Sequence, residues 1–595
     1  MRTTLQLHQL LRRTSLLKPP TRRGSSLGRI RRLSTRFEPA VPPSPSSLPK
    51  RGPEEPPSKW ARRVVVIGST VIILYTYDRV FHASAFARSF RCVYDLLVVG
   101  LDYKWNFVEG KDIEALHERS AERIYNLMIN NKGLYIKMGQ AVAIQSGIFP
   151  PVFQEKFARL FDAAPQDSWA TVENLLTEEY KEPPDQFFDW INHRAVASAS
   201  IAQVHEARLK TGESVAVKVQ HADISKQVWW DLTAYKYIMW FYERYLFDLP
   251  IYFVVEHIVD RLTREVNFVY EVENSERLRK FIENEKSLSD DEIHIPTVYP
   301  EFCTNRVIVS EWIDGVSLNR PVDLQKQNYD TGRSISTLMR LYGLQMFDWG
   351  HVHCDPHPGN IILRKLPNGK QQTVLVDHGL YIEENDTFRK QYATLWEAAF
   401  MGKTEELGKI SEQWGFGDSE MTSSIVVQSF HTQGRRNAAK QRPPPSPPAK
   451  DSREEFERQQ AIKQRFQNFF QDTTRIPLEL VFLGRTMRIL QGLNKKLGSP
   501  VNRIKVFAQA ATRSLDRYRY PTWSSRIVQL KDEIVFWTVL TLSDIYFFFI
   551  RLRQSIFGGL GFNGRGVEDV LEEQIRQSAE ELGFDIDLEA LDDDF

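Results

Sequence analysis

The sequence has few cysteines: Cys92, Cys303 and Cys354 are the three in 595 residues, and no two are close in the chain. Disulfide frameworks and cysteine-ligated zinc sites use closely spaced or paired cysteines, so neither is indicated. An excess of one charge is also missing, since 77 Lys and Arg balance 76 Asp and Glu. No overall positive field therefore points to a nucleic-acid partner.

Acidic residues are absent from the first 37 positions, where Arg and Lys alternate with Leu, Ser and Thr. This composition is typical of a mitochondrial transit peptide, which we predict over residues 1–36; a basic disordered arm is the alternative. Residues 37–58 are rich in Pro and Ser and predict an extended, disordered linker.

A first apolar run, Val64–Tyr77, is 14 residues long and can be extended by its flanks to residues 59–81. A length near ~20 residues predicts one transmembrane helix, with a buried core helix as the alternative. A transit peptide followed by a span places the helix in the inner mitochondrial membrane. The main domain would then face the intermembrane space.

A second apolar run, Ile534–Ile550, contains Asp544 at its centre. A charge at mid-membrane costs about 2.5–3.5 kcal/mol, which favours a helix buried in the soluble domain or lying on the membrane surface over a second span. The proline-rich residues 434–455 predict a disordered insertion, and residues 561–595 an acidic tail.

The segments HVHCDPHPGNIIL, from His351, and TVLVDHGLY, from Thr373, hold the strongest chemical pattern. An Asp and an Asn five residues apart, then a short strand ending in Asp-x-Gly, is the arrangement by which kinase-like folds hold Mg²⁺ on ATP. Asp355 is the predicted catalytic aspartate, and Asn360 and Asp377 are the predicted metal ligands. Zinc bound by His353, His357 and Asp355 is an alternative that needs more assumptions.

Lys218 lies in the apolar strand VAVKVQ, where an unpaired charge is unfavourable. It therefore needs a phosphate or a carboxylate, unless the strand turns that face to solvent. Glu271, on a later helical pattern, is the predicted partner. Lys218, Glu271 and the Asp355–Asp377 pattern follow in the order that a kinase-like site requires.

Glycine is absent from the loop AVASASIAQVHEARL, Ala195–Leu209, where a protein kinase carries a glycine-rich phosphate loop. Alanine limits both positive φ and close backbone approach, so transfer to a protein is less favoured. Predicted phosphate contacts are Ala197, Ser198, Ala199, Ser200 and the backbone near Gln203. Downstream, VIVSEWIDG suits an inter-lobe connection in which adenine bonds backbone groups near Glu311 and Trp312.

The stretch YIKMGQAVAIQSGIFP, Tyr135–Pro150, reads as a helix with Lys137 and Gln140 on one face. Gly139, Ala143 and Gly147 recur every four residues and form a flat strip that allows another backbone to approach closely. Taken alone, the stretch also fits an ordinary packed helix with a solvated lysine.

Together these residues resemble the UbiB family of atypical kinase-like proteins, called the ADCK group in animals. The resemblance covers roughly residues 115–400. Its motifs are Lys137-Met138-Gly139-Gln140, the alanine-rich loop Ala197–His205, Lys218, and His353-Cys354-Asp355-Pro356-His357-Pro358-Gly359-Asn360.

The resemblance implies a protein-kinase-like fold with an N-terminal extension packed over the active site. It also implies Mg²⁺-dependent ATP binding and hydrolysis, little protein phosphorylation, and a role in coenzyme Q or mitochondrial lipid homeostasis. Under it the Tyr135–Pro150 helix becomes a lid. Its small strip would dock on the kinase-like lobes, Lys137 and Gln140 would point into the site, and Lys137 would bond Asp377 or Glu265.

Three positions depart from the family pattern. Glu265-Val266-Asn267 replaces Glu-x-Asp, Ala202 stands where many members have glycine, and Asp377-His378-Gly379 replaces Asp-Phe-Gly. The last two differ from the coenzyme Q biosynthesis members. Lipid or quinone distribution is therefore the safer expectation.

The predicted class is α+β: a two-lobed protein-kinase-like fold with a helical N-terminal extension and one N-terminal transmembrane helix. The predicted parts are the transit peptide 1–36, linker 37–58, transmembrane helix 59–81, extension 82–190, N-lobe 191–315, C-lobe 316–530, hydrophobic segment 531–560 and tail 561–595. The predicted function is a Mg²⁺-dependent ATPase of the inner mitochondrial membrane. Its predicted partners are membrane lipid or quinone, with no nucleic acid. The alternatives are a nucleotide-dependent scaffold and a protein kinase with an unusual loop.

Overall fold

The computed structural model describes residues 58–108, 110–143, 150–160, 166–246, 252–416, 475–518, 523–559, 566 and 568–569. The predicted transit peptide, the insertion 434–455, nearly all of the linker and most of the acidic tail lie outside these residues. The chain divides into two compact units, Met1–Ser69 and Thr70–Phe595. The boundaries of the predicted parts stay predictions.

Helices form the N-terminal part of the described chain. Two of them begin with a side-chain cap. Asp112 accepts a hydrogen bond from the backbone N–H of Ala115, and Ser168 accepts one from that of Thr171, as Asp and Ser commonly do at this position. The helices are α1 (Lys59–Phe81), α2 (Ala85–Asn106), α3 (Ile113–Asn131), α4 (Leu134–Ala143), α5 (Pro151–Ala158) and α6 (Trp169–Tyr180).

A mainly antiparallel sheet follows. Its strands are β1 (Phe188–Ile191), β2 (Ala197–Ser198), β3 (Ala202–Leu209), β4 (Ser214–Gln220) and β6 (Val307–Glu311), in the order β1-β3-β4-β6 with β2 beside β3. Alternating Val215, Val217 and Val219 are fully buried on one face of β4, which turns Lys218 to the other face. Between β4 and β6 lie α7 (Ile224–Phe241), α8 (Tyr252–Glu265) and α9 (Phe268–Glu283).

A second sheet carries the later motifs. Its order is β5 (Ile293–His294), β10 (Gln371–Leu375), β9 (Ile361–Lys365) and β7 (Val316–Ser317), and a separate pair joins β8 (His351–His353) to β11 (Tyr381–Glu383). The largest apolar core packs these strands against helices. They are α10 (Pro321–Lys326), α11 (Thr331–Leu344), α12 (Asp386–Met401), α13 (Thr404–Gln413), α14 (Glu479–Lys496) and α15 (Arg503–Leu515). The last helix, α16 (Trp523–Gly559), packs in a separate, smaller cluster.

The mixed helix and sheet content of the predicted α+β class is therefore present. Two described helices are long and apolar enough to cross a membrane, Arg63–Phe81 within α1 and Glu533–Ile556 within α16, each with a mean hydropathy of 1.6. One such helix was predicted. The buried-core interpretation of both runs is wrong, because 6% of the first window and 17% of the second is buried.

Candidate functional site

Lys218 pairs with two carboxylates that are distant in sequence. Its Nζ lies 2.6 Å from Glu271 Oε1 and 3.3 Å from Asp377 Oδ1, and it stands 5.4 Å from the centre of the Phe268 ring. β4 supplies the lysine and α9 supplies Glu271. The predicted Lys218–Glu271 pair is confirmed, and the solvent-facing interpretation of Lys218 is wrong.

Burial and charge act in opposite directions on this pair. Burial lowers the pKa of Lys218, but Asp377 and Glu271 outweigh it, so that the pKa stands above its usual value. Burial raises the pKa of Glu271 to about 7, and Lys218 opposes that rise. Lys218 is therefore a cation at neutral pH, and its ammonium group can also bind an anionic ligand.

Asp377 follows β10 and is held by short local contacts. Its Oδ1 accepts from the backbone N–H of Gly379 at 3.1 Å, and its Oδ2 accepts from Asn360 Nδ2 at 3.4 Å. The N–H of Val376 donates to the carbonyl of Asn360 at 3.1 Å, which ties the two predicted metal ligands together. Burial raises the pKa of Asp377, but Lys218 and Lys137 bring it far below its ordinary value, so Asp377 is an anion.

Asp355 lies just after β8 and pairs with an arginine that the sequence analysis missed. Arg485 Nη2, on α14, donates to Asp355 Oδ1 at 3.0 Å. Burial raises the pKa of Asp355, but Arg485, Lys137 and His357 lower it below its usual range. No motif marks Arg485, which is 130 residues from its partner.

Lys137, on α4, forms an ion pair with Glu265, the last residue of α8. This is one of the two carboxylate partners predicted for it. Burial lowers the pKa of Lys137, and the nearby charges of Asp355 and Asp377 oppose that shift. An extension lysine therefore lies among the carboxylates of the site.

Gln140 does not accompany Lys137. Its Nε2 donates to the backbone carbonyl of Leu160 at 3.1 Å, within the N-terminal helices. The expectation that the Gln140 side chain points into the site is wrong, because its amide group is hydrogen-bonded to Leu160, which lies beyond the end of α5.

Gly139, the member of the small strip on α4 whose surroundings the structure describes, packs against residues of the N-terminal part of the chain. A Cβ added to Gly139 would clash with Leu160 Cδ1 and Met128 Sδ, so these side chains fill the space that glycine leaves. Leu134 and Met138, on the same helix, instead contact the cluster around Ile308 of β6. The docking prediction is therefore wrong for Gly139, whereas the surroundings of Ala143 and the whole of Gly147 lie outside what the structure describes.

The alanine-rich loop is a tight turn between β2 and β3. The N–H of Ala199 donates to the carbonyl of Ala202 at 2.8 Å, and the carbonyl of Ala199 lies 3.1 Å from His221 Nε2. Ala197 and Ala199 are exposed, Ser198 is half-buried, and Ser200 is buried. Burial leaves Ser200 the weakest of the predicted phosphate contacts.

Asn267, which replaces the second acid of Glu-x-Asp, caps a helix. Its Oδ1 accepts from the N–H of Val269 at 3.1 Å at the start of α9. Because α9 carries Glu271 one turn later, this cap helps to fix the partner of Lys218. The Asn267 side chain therefore caps α9, and an aspartate at this position could form the same cap.

His353 and His378, one from each motif, are buried and bonded to other side chains of the protein. His353 Nδ1 lies 2.6 Å from the Tyr342 hydroxyl, and His378 Nδ1 lies 2.9 Å from the Tyr381 hydroxyl. Burial lowers the pKa of His353 to about 4 and that of His378 to about 3. The part of the chain that the structure describes holds no group of three metal-ligating His, Cys, Asp or Glu, so the zinc alternative has no support there.

The backbone N–H groups of Glu311, at the end of β6, and of Trp312 already donate hydrogen bonds within the protein. The N–H of Glu311 donates to Thr297 and the N–H of Trp312 donates to Ser214, while the Glu311 side chain pairs with His294 at 2.7 Å and Arg364 at 2.7 Å. Any adenine contact at these two residues would therefore use their carbonyl groups.

The donor set around Asp377 fits Mg²⁺. Glu265 lies beside it, with its Oε1 3.7 Å from the Cβ that Gly379 lacks, and the buried Glu265 Oε2 has no hydrogen-bond partner among the described residues. Asp377, Asn360 and this free oxygen are hard oxygen ligands of the kind that Mg²⁺ prefers. An orphaned buried carboxylate oxygen is also unfavourable unless a cation or water meets it.

Comparisons with known proteins identify the family of this chain. The family described as the ABC1 atypical kinase-like domain matches residues 159–411. An ABC1 family protein of Schizosaccharomyces pombe is 40% identical over 79% of this chain and 87% of its own length. A second, from Purpureocillium lilacinum, is 34% identical over 80% of this chain and 87% of its own.

A protein of Gallus gallus named AarF domain-containing protein kinase 1 is 31% identical over 51% of this chain and 58% of its own length. The predicted family resemblance is confirmed. The chain belongs to the ABC1 (UbiB/AarF) family of atypical kinase-like proteins.

Proposed function

We propose that this protein is a Mg²⁺-dependent ATPase of kinase-like fold that acts in the distribution of a lipid or quinone at the inner mitochondrial membrane. One observation carries the catalytic part: Lys218 is shared by Glu271 and Asp377, and Asp377 also bonds Asn360. In kinase-like sites these positions hold the phosphates and the metal.

The chain's own residues have separable tasks in this proposal. Lys218 holds the phosphates, and Asp355 orients the attacking water. Asp377, Asn360 and Glu265 would hold Mg²⁺, which neutralises charge that develops on the phosphate oxygens. Phosphoryl transfer relies mostly on positioning and charge stabilisation, which these groups can supply.

Two features favour water over a protein hydroxyl as the acceptor. Lys137 reaches from α4 to Glu265 beside the site, and in this proposal α4 covers the groove in which a peptide substrate would lie. The phosphate loop has alanine where protein kinases use glycine. A relative in Dictyostelium discoideum is named a probable serine/threonine-protein kinase, so protein phosphorylation is the second candidate activity.

A nucleotide-dependent scaffold is the remaining alternative. It needs the same metal and phosphate ligands but no turnover. Ionised Asp355, kept so by Arg485, favours turnover because a pure scaffold does not need a catalytic carboxylate.

The membrane assignment rests on different residues. The acid-free residues 1–37 suit a mitochondrial transit peptide, and the Arg63–Phe81 window has the length and hydropathy of a span. In this arrangement the main domain faces the intermembrane space, where lipids and quinones of the inner membrane are within reach.

A binding assay and a turnover assay test the proposal together. The melting temperature of the full chain is measured with and without Mg²⁺-ATP, and phosphate release is measured with anionic lipid present. A ligand at ~100 times its dissociation constant stabilises by about 2.7 kcal/mol. Asp377→Asn should lose the shift, and Asp355→Asn should keep the shift but lose phosphate release.

Asp291→Asn is the matched control, because Asp291 pairs with Lys370 on an exposed surface. No shift in the wild type would contradict both the ATPase and the scaffold. A shift without phosphate release would favour the scaffold, and transfer of phosphate to protein would favour the kinase.

A further inference from the structure

Helix α16 exposes an unusually large apolar face. The large apolar side chains that are between 44% and 61% exposed lie on one side of the helix. They are Ile534, Trp537, Leu542, Ile545, Tyr546, Phe548, Phe549, Leu552 and Ile556. Together they expose on the order of 1,000 Å², well above the largest apolar patch of a typical soluble monomer.

The opposite face of α16 is fastened to the protein. Phe536 and Leu540 are buried in one cluster with Phe400 of α12 and Ala508 of α15. One turn further along, the Ser543 hydroxyl accepts from Asn502 Nδ2 at 2.9 Å. The helix is therefore held against the folded domain along several turns.

Asp544 does not interrupt the apolar face. It points to the fastened side, where it forms an ion pair with Lys505 of α15. This contact removes the obstacle that its charge raised against a membrane contact. It also argues against a span, because a helix crossing the bilayer at this place would carry α15 and its charged side chains with it.

The other charged residues lie at the two ends of the apolar run, with Glu533 before it and Arg551 and Arg553 after it. Arg551 and Arg553 are exposed next to Leu552, whereas no acidic side chain other than the paired Asp544 occurs between Glu533 and Arg551. Arginines beside an apolar face complement the phosphates of anionic lipids, and Trp537 and Tyr546 are residue types that favour the membrane interface. Protein interfaces, in contrast, have a polar rim.

We infer that the exposed face of α16 lies in the plane of a lipid bilayer that contains anionic lipids, as a second membrane contact that does not cross the membrane. It would hold the domain on the membrane surface independently of α1. This inference does not depend on nucleotide turnover.

Flotation with vesicles tests the contact after α1 has been made polar. Ile67→Glu and Ile72→Glu replace side chains that are 63% and 66% exposed, so the folded domain should be preserved. In this full-length background we expect binding to vesicles of phosphatidylcholine and phosphatidylglycerol, and weaker binding to phosphatidylcholine alone. Adding Ile545→Glu and Phe549→Glu should lower the partition coefficient about tenfold or more, since two buried apolar groups are lost.

The matched control adds Trp190→Glu and Val322→Glu, which are 49% and 61% exposed away from α16. This control should float like the background. Unchanged flotation after the α16 substitutions, or no flotation of a folded background chain, would overturn the inference. So would self-association without vesicles that the α16 substitutions abolish, because the face would then belong to a second copy.

Labelling in sealed vesicles separates an in-plane helix from a span. Glu533→Cys and Ser555→Cys are each placed in a Cys303→Ser chain, whose other cysteines, Cys92 and Cys354, are buried. A membrane-impermeant maleimide added outside should label both sites if the helix lies in the plane. Protection of one of the two would show a span and overturn the in-plane contact.

Discussion

Lys137 is the side chain through which the N-terminal helices reach the site carboxylates. It pairs with Glu265 and is close enough to Asp355 and Asp377 for their charges to affect it. We expect Lys137→Ala to change ATP affinity or phosphate release by about tenfold, because it removes the partner of Glu265 and a side chain close to Asp355 and Asp377. The melting temperature should change much less. Isothermal titration with Mg²⁺-ATP and a thermal melt of the same sample measure the two effects.

The control for this substitution is Lys137→Ala combined with Glu265→Gln. The double variant removes the buried carboxylate that Lys137→Ala leaves without a partner, so any loss of stability should be recovered. Equal losses of stability and nucleotide handling in Lys137→Ala would return α4 to an ordinary packed helix.

Glu384 provides a second prediction at the residue scale. It is buried, and neither carboxylate oxygen has a hydrogen-bond partner among the described residues. Burial raises the pKa of Glu384 well above its ordinary value. As pH rises above about 4.5, the unfolded chain releases this proton and the folded chain keeps it, so stability falls.

Glu384→Gln removes this titration. We expect the variant to be more stable than wild type by about 1–3 kcal/mol at pH 8, with a difference that shrinks toward pH 5. Thermal melts at several pH values measure it. A gain that stays constant with pH would contradict the assignment of a neutral Glu384.

Among single residues, the sequence identified those whose charge would be energetically unfavourable in the local pattern without a partner. Lys218 in an apolar strand needed an anion, and Glu271 and Asp377 meet it. Arg485 gave no such signal, because arginine is common on helices and the partner of this one depends on how α14 packs. Gln140 was misplaced for a similar reason, since helical spacing fixes a face but not which backbone carbonyl is nearby.

At the scale of elements, a buried ion pair fastens the extension to the kinase-like domain. Arg88 on α2 contacts Asp231 on α7 through Nε at 3.2 Å and Nη2 at 2.5 Å, and both side chains are buried. Asp231→Ala leaves the arginine buried without its carboxylate, so we expect a loss of about 3–5 kcal/mol. Denaturant unfolding followed by fluorescence measures the change.

An exposed pair on the same extension is the control. Asp102 accepts from Arg119 at 2.6 Å near the surface, and Asp102→Ala should cost about 1 kcal/mol or less. Arg88→Met with Asp231→Leu should recover most of the loss, since no charge then stays buried. Similar losses for Asp102→Ala and Asp231→Ala would show that the buried pair does not hold α2 to α7.

The start of α9 offers a second test at this scale. Asn267→Ala removes the cap and should cost about 1 kcal/mol, whereas Asn267→Asp keeps an oxygen at that position and should be nearly neutral. The Mg²⁺ dependence of ATP binding should be unchanged in Asn267→Asp. A clear tightening of Mg²⁺ dependence would show that this position faces the metal and is more than a cap.

For the whole molecule, the sequence predicted the apolar helices better than it predicted which segments pack against each other. Apolar runs at α1 and α16 became exposed helices, and their exposure rules out burial in a core. Whether Gly139 meets the lobes or the extension depended on Met128 and Leu160 from other segments. Such choices are made by tertiary packing, which spacing within one helix cannot specify.

The proposed placement of the chain in the membrane leads to a last prediction. The Arg63–Phe81 window of 19 residues is about 29 Å long as a helix, close to the ~30 Å hydrocarbon core. Arg62 precedes the window and Arg63 is its first residue, and both favour the matrix side for the N-terminal end. The domain from residue 82 onward should then resist protease in intact mitochondria and be digested once the outer membrane is ruptured, which immunoblotting detects.

Ile67→Glu with Ile72→Glu is the informative variant here. Two carboxylates in the window cost several kcal/mol at mid-membrane, so the helix should no longer stop in the inner membrane. The domain should pass into the matrix and become resistant to protease after outer-membrane rupture. If the wild-type domain already shows that resistance, the helix does not hold the domain in the intermembrane space. If the variant and the wild type are digested alike, the window is not what stops transfer.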